Sequence, residues 1–308
     1  MGAVEACAFI VCLDDGSPRD SSERWMQYLL SGTSNRWSDK TIQYVICENG
    51  VSGSVVEHSM VDGGTLQQLN GHIYKSIVQH SRTSQYTNGD SPPVHLAPFE
   101  ELSFVLNSEI KAHIARVHQQ FTTIAAPLTC EIGKYSIREL GGNFFRAHSC
   151  PPKTGYQLVI QVASLLYFGY QPPSWETVSM RAFYKGRVDI VQVVLPAVHA
   201  FCASALDSRI PASRRKALFL AAAQAHTLNV LRASRGRGFA GHLYALQEVR
   251  REGEDLPNIF TDPTYAKTRP AKIMTDCTEW ANDVMQEGGW VMPDPEHVWI
   301  HYDVQDEG

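Results

Sequence analysis

The chain is 308 residues long, 44% hydrophobic and 19% charged, an ordinary globular composition with enough apolar material for about two domains. A net charge of −5 argues against a nucleic-acid binder, which would carry a basic domain or stripe. Seven cysteines, none in a C-x-x-C pair, predict reduced thiols in a cytoplasmic protein and exclude a zinc ribbon or disulfide framework.

In chain order, ACAFIVCLDDG opens with an apolar run that Asp14 and Asp15 end at once. With no cationic segment before it, the run predicts a buried strand over 6–13 and not a signal peptide. SSERWMQYLLSG (21–32) has helical spacing, with Ser21 or Ser22 as cap and Gly32 as stop. TIQYVICENGVSGSVVEHS (41–59) predicts two strands joined at Asn49-Gly50, a hairpin signal. GTLQQLNGHIYKSIVQHS (64–81) predicts an amphipathic helix with Leu66, Leu69, His72, Ile73 and Ile77 near one face. Residues 82–100 are polar, with Asn-Gly and Pro-Pro and no periodicity. They predict a linker between a strand-rich part, 1–97, and the rest, 98–308.

Helices are predicted at 108–126, capped by Ser108, and at 154–168, with Tyr156, Val159, Ile160, Ala163, Leu166 and Tyr167 at helical spacing. A third covers 212–233, with Ala217, Leu218, Ala221, Ala225, Leu228 and Leu231 facing inward. A proline-rich loop follows, and GGWVMPDPEHVWIHYDV closes the chain as two β-runs around Pro-Asp-Pro. The longest apolar-rich stretch, YQLVIQVASLLYFGY, is too short to span a bilayer, so no membrane association is expected. The class is mixed α/β. Without a G-x-G-x-x-G or Walker pattern, a dinucleotide or nucleoside-triphosphate site is disfavoured. His72, His226, His242 and His301 have no metal-ligand spacing, and no metal is assigned.

The stretch SVVEHSMVDGG (54–64) is where chemistry enters. A strand-like run ends in His58, and the chain turns on Asp62-Gly63. The bland reading is a strand end with an incidental histidine. The functional one uses an imidazole whose resting pKa suits removing a proton from a hydroxyl near neutral pH. If the acyl donor is already a thioester, no serine or cysteine nucleophile is needed. Asp62 suits a brace for the turn better than a second catalytic acid.

NRWSDK (35–40), EHSMVDG (57–63), MRAFYKGRVD (180–189), GFAGHLYAL (238–246) and PNIFTDPTYA (257–266) together resemble the carnitine/choline acyltransferases, in the family's order and over about the second half of its length. The resemblance implies a chloramphenicol-acetyltransferase-like two-domain architecture, present here in part, with His58 as catalytic base and Asp62 paired with Arg187. The family's tyrosine, threonine and arginine for the carnitine carboxylate match Trp175, Val188 and Gly241. Thr177 joins them in the implied acceptor pocket. With no cation at position 241 a carboxylate there would be desolvated without a partner, so carnitine is disfavoured.

On the donor side the family's basic pair for the coenzyme A 3′-phosphate matches Gly142 and Arg146. Its aspartate near the adenine matches Lys153 and a further arginine matches Thr227; Ser179 completes the implied donor region. The family's Ser-Thr-Ser segment, facing the reacting acyl group, matches Met274-Thr275-Asp276, where Thr275 alone keeps a hydroxyl. Asp276 is awkward beside a developing oxyanion unless protonated or turned away. These losses resemble the acyltransferase domains of fungal highly reducing polyketide synthases. The implied function is transfer of a carrier-bound acyl chain to a small hydroxyl acceptor, with an acyl carrier protein as partner and no bound cofactor. Two alternatives stay open: an enzyme using free acyl-coenzyme A, and a non-catalytic, truncated interaction module.

Overall fold

The computed structural model describes residues 2–31, 35–83, 100–126, 140–251, 253–268, 271–277, 297–302 and 304. The chain divides into two compact units, Met1–Ile132 with Ala281–Asp294, and Gly133–Trp280 with Pro295–Gly308. Most of the expected linker, the Gly32 stop and the first of the two closing β-runs lie outside the described residues. No helix among the described residues is long and apolar enough to cross a membrane.

In the first unit, a short helix α1 (Gly2–Ala6) ends where the strand over 6–13 was expected to begin, and β1 starts later, covering Ile10–Asp14. Next comes α2 (Ser21–Trp25), which runs on as a wider turn over Met26–Ser31. Its cap is Asp20, whose carboxylate accepts from the Glu23 N–H at 2.9 Å, and neither of the expected serines. A carboxylate at that place also meets the positive end of the helix. The expected hairpin forms: β2 (Ile42–Cys47) pairs antiparallel with β3 (Ser52–Val56), and β1 lies parallel on the other side of β2. Gly50 in the turn has φ +80°, a region that favours glycine.

Cys12, Val45 and Cys47 are buried with Tyr28 packed on them, and Gly53 leaves room for the Tyr28 ring. The NRW segment has a structural job here. Asn35, Arg36 and Gln27 all donate to the Asp14 carboxylate. The Arg36 guanidinium holds that carboxyl down at about 2 against the opposing effect of burial. Helix α3 (Gly63–Thr83) follows the hairpin, and α4 (Ser108–Ala125) is capped by Asn107 where Ser108 was expected.

The second unit begins with α5 (Gly142–Ala147) and α6 (Pro152–Phe168), which stops at left-handed Gly169. Then come β4 (Ser174–Ser179), β5 (Val188–Gln192), α7 (Pro196–Leu206), α8 (Ala212–Arg232) and α9 (Ala240–Glu248). The unit closes with α10 (Asn258–Thr261), α11 (Pro263–Thr268), β6 (Ile273–Cys277) and β7 (Val298–Tyr302). The sheet order is β5-β4-β6-β7, with β4, β6 and β7 parallel and β5 antiparallel. Phe145, Cys150, Leu158, Val198, Cys202, Ala222 and Ala223 form the apolar core.

Two helices turn a different face inward from the one their periodicity suggests. In α8 the buried residues are Ala222, Ala223 and His226, while Leu228 and Leu231 are exposed. In α6, Val159, Leu166 and Tyr167 are exposed, and Thr154, Gln157, Gln161 and Ser164 are buried along one stripe beside Leu158 and Ile160. Polar partners explain the rotation: Gln157 reaches Thr275 on β6, and His226 reaches Glu176 on β4. Hydrogen bonds that would be lost inside the unit outweigh the choice among nearly equivalent apolar faces.

Candidate active site

His58 sits in the turn that leaves β3 and enters α3, with its side chain about half exposed (52%). The turn is pinned locally, because the Glu57 carboxylate accepts from both the N–H and the hydroxyl of Ser59. Asp62 ends it: its carbonyl accepts from the amides of Thr65 and Leu66 in the first turn of α3, and its side chain is buried. The Asp62 carboxylate lies 3.6 Å from His58 Nδ1. Asp62 was expected to brace the turn through a cation elsewhere; the structure also places it directly beside the imidazole. A carboxylate at that place faces the ring's Nδ1 edge. Arg187 is exposed in the second unit, where its carbonyl accepts from the Met180 N–H and extends the β4–β5 ladder.

The residues of the implied acceptor pocket lie on β4, β5 and α9. Trp175 is buried, its ring 6.3 Å from that of Phe239. Val188 is exposed and opposite Ser179 in the β4–β5 register. The Gly241 N–H donates to the Asp189 carboxylate at 3.3 Å. A Cβ at Gly241 would meet Asp189 Oδ1 at 3.2 Å, and one at Gly238 would collide with Oδ2. Both glycines let this carboxylate approach the start of α9, where the helix dipole welcomes an anion.

Strand alternation separates Thr275 from Asp276. Thr275 is fully buried on the side that faces α6; its hydroxyl donates to the Trp175 carbonyl and accepts from Gln157 at 2.5 Å. That hydroxyl is committed within the unit. Asp276 points the other way. It accepts from the Thr177 hydroxyl and lies 3.6 Å from Nδ1 of His301, its register partner on β7.

In the implied donor region, Arg146 is exposed on α5 and donates to Asn143, and Ser179 is exposed at the end of β4. Lys153 is turned inward. Its ammonium lies 2.9 Å from Glu176, whose other oxygen is 2.7 Å from His226 Nε2; Glu176 and His226 are buried and Lys153 partly so. Thr154 bridges His226 Nδ1 and the Thr227 hydroxyl, each at 3.2 Å. Burial would push the Glu176 carboxyl up, but His226 and Lys153 outweigh it and hold it below the glutamate range. Burial likewise opposes the charge on Lys153, and Glu176 overcomes it, so that pKa is raised. Sequence reasoning did not single out Glu176, Asp189 or His301 as site residues. The available signal was a lone acid in the strand-like SWETVS.

No group of three or more potential metal ligands occurs among the described residues. Burial pushes the thiols of Cys150 and Cys202 up to about 11, so neither is a thiolate nucleophile near neutral pH. The half-exposed imidazole of His58 beside the Asp62 carboxylate is a geometry that suits proton transfer. The family model for choline/carnitine O-acyltransferases matches residues 1–308. The chain belongs to that family.

Relatives of two kinds carry the match. One is the highly reducing polyketide synthase ltbA of Aspergillus luteorubrus, 33% identical over 99% of this chain and 10% of that protein. The others include the choline O-acetyltransferase of Homo sapiens, 30% identical over 94% of this chain and 39% of that protein. The carnitine O-acetyltransferase of Mus musculus is 27% identical over 99% of this chain and 50% of that protein. The chain thus spans about a tenth of the synthase and up to half of the acetyltransferases. Its helices and two mixed sheets fit the α/β architecture expected of the family in part.

Proposed function

We propose that the chain is an O-acyltransferase that moves an acyl group, of polyketide type, from a carrier-bound thioester to the hydroxyl of a small acceptor. The observation that carries this reading is the His58–Asp62 pair, an accessible imidazole with Nδ1 turned to a carboxylate at 3.6 Å. In that orientation Nε2 takes the proton of the acceptor hydroxyl as its oxygen attacks the thioester carbonyl. The tetrahedral intermediate then expels the thiolate, which recovers the proton from the imidazolium, and the ester bond replaces the C–S bond. The pairing of Asp62 with Arg187 that the resemblance implies belongs to the same proposal.

The donor assignment rests on contacts that are missing. Of the four positions matching the family's charged coenzyme A contacts, Gly142 and Thr227 carry no charge and Lys153 is engaged by Glu176. Arg146 alone is an exposed cation. A charge-assisted phosphate contact is worth about 1.5–3 kcal/mol, so each loss weakens free coenzyme A binding roughly tenfold or more. A phosphopantetheine arm on a carrier protein has no 3′-phosphate to satisfy. On the acceptor side, Asp189 beside Gly241 repels a carboxylate and argues against carnitine.

The test is a competition between one acyl group on a carrier protein and the same group on free coenzyme A, at equal concentrations, read by mass spectrometry of the ester. The carrier-bound donor is expected to prevail. Preference for the coenzyme A thioester would assign the chain to free metabolites.

A further inference from the structure

A groove of about 610 Å³ lies between α5, the end of α7 and the first turns of α8. Phe144, Phe201, Leu206 and Phe219 form its apolar floor, and Arg215 and Lys216 its edge. Phe201 and Phe219 meet edge-on at 5.4 Å and pack on the core, so the floor is preformed. Phe144 and Leu206 are each more than a third exposed. The neighbouring carboxylate, Asp207, already accepts two hydrogen bonds from the Arg209 side chain, and its carbonyl accepts from Arg215. The edge therefore keeps its positive character, to which the exposed Arg214 on the same turn adds. The groove also brings α5, which carries Arg146, together with the 214–216 basic run, separate patches in the sequence.

We propose that this groove docks an acidic amphipathic helix of the acyl carrier domain, one apolar side chain entering the floor and carboxylates meeting Arg215 and Lys216. An apolar floor with a charged edge is how a helix is held in a groove, and a single-sign edge selects a partner of opposite sign. A second copy of this chain would bring positive edge against positive edge and is disfavoured. The inference rests on the carrier-donor reading above.

The experiment compares wild type with an Arg215→Glu/Lys216→Glu double variant, on an acyl group carried either by a carrier domain or by pantetheine alone. For the carrier-bound donor, kcat/KM is expected to fall roughly tenfold or more, mainly through KM, and to lose its sensitivity to salt. The pantetheine thioester should be turned over within about twofold of wild type, because it bypasses the surface. A milder Arg215→Gln/Lys216→Gln variant, expected to fall between them, controls for misfolding. Unchanged carrier kinetics, or an equal fall on both donors, overturns the docking site while acyl transfer stands. If wild type turns over neither donor, the acyl-transfer reading fails and calorimetric titration of the carrier domain decides docking: binding weakened by the charge reversal supports it, and no binding overturns it. Displacement of the carrier domain by coenzyme A but not by pantetheine would also overturn it, marking a phosphate site.

Discussion

His58 and His226 each face a carboxylate, and their surroundings are opposite. His58 stands half exposed in a turn, 3.6 Å from Asp62. His226 is fully buried, 2.7 Å from Glu176, whose other oxygen is 2.9 Å from the Lys153 ammonium. The buried imidazole has both nitrogens engaged, one by Glu176 and one by Thr154. A ring tied at both ends and closed to solvent holds elements together, here α6, α8 and β4. A ring half exposed in a turn can be reached by a substrate. The pairing of residue types does not separate structure from chemistry; exposure does.

The sharpest way to break this contrast is to remove each imidazole's role in turn. His58→Ala is expected to lower acyl transfer by about 10²–10⁴ while leaving the unfolding midpoint close to wild type. A variant that keeps a tenth of wild-type turnover on a thioester donor would remove His58 from the chemistry. Glu176→Gln should do the reverse, destabilising the second unit by about 1–3 kcal/mol, because the part-buried Lys153 loses its counter-charge and the buried His226 its carboxylate partner. Denaturant unfolding measures it.

Acidity sharpens the same comparison. Glu176 titrates below its ordinary value of 4.5 in the folded chain, so its stabilisation is fully present above that pH and is lost as pH falls through the depressed value. Lys153 titrates above its ordinary 10.5, so its share is present below that pH and is lost as pH rises through the raised value. Stability of wild type is expected to fall off at both limits, and the acid loss should be shallower in Glu176→Gln.

A smaller effect is expected at Asp62. Replacing it with Asn should slow turnover more than it destabilises, and a cycle with Arg187→Gln should give a coupling of about 0.5–3 kcal/mol. Simple additivity would dissolve the brace while leaving the Asp62–His58 contact in place.

Much of the first unit was legible in the sequence, because the signals there are local. Asn49-Gly50 sets the hairpin turn, and the EHSMVDG spacing placed His58 and Asp62 at the entry to α3. Capping misled by one residue at both Asp20 and Asn107, since the neighbouring serines satisfy the same pattern. The second unit hid more. Glu176 and His226 are 50 residues apart, and Gln157 and Thr275 are 118 apart, so no window of sequence contains both members of either pair. Helix α6 buries the polar stripe Thr154, Gln157, Gln161 and Ser164 that periodicity would leave to solvent, because partners on β4 and β6, which no local window registers, face it.

The approach of Asp189 to Gly238 and Gly241 also bears on the acceptor pocket proposed above. An arginine placed at 241 puts its Cβ against the capping carboxylate, and its guanidinium beside an anion already bound to the helix. The substitution that would create a carboxylate-binding cation is therefore neutralised by the residue it meets. Only after Asp189 has lost its charge would the same arginine be available to a substrate. On that proposal, a library aimed at a carboxylate-bearing acceptor would vary Asp189 together with position 241.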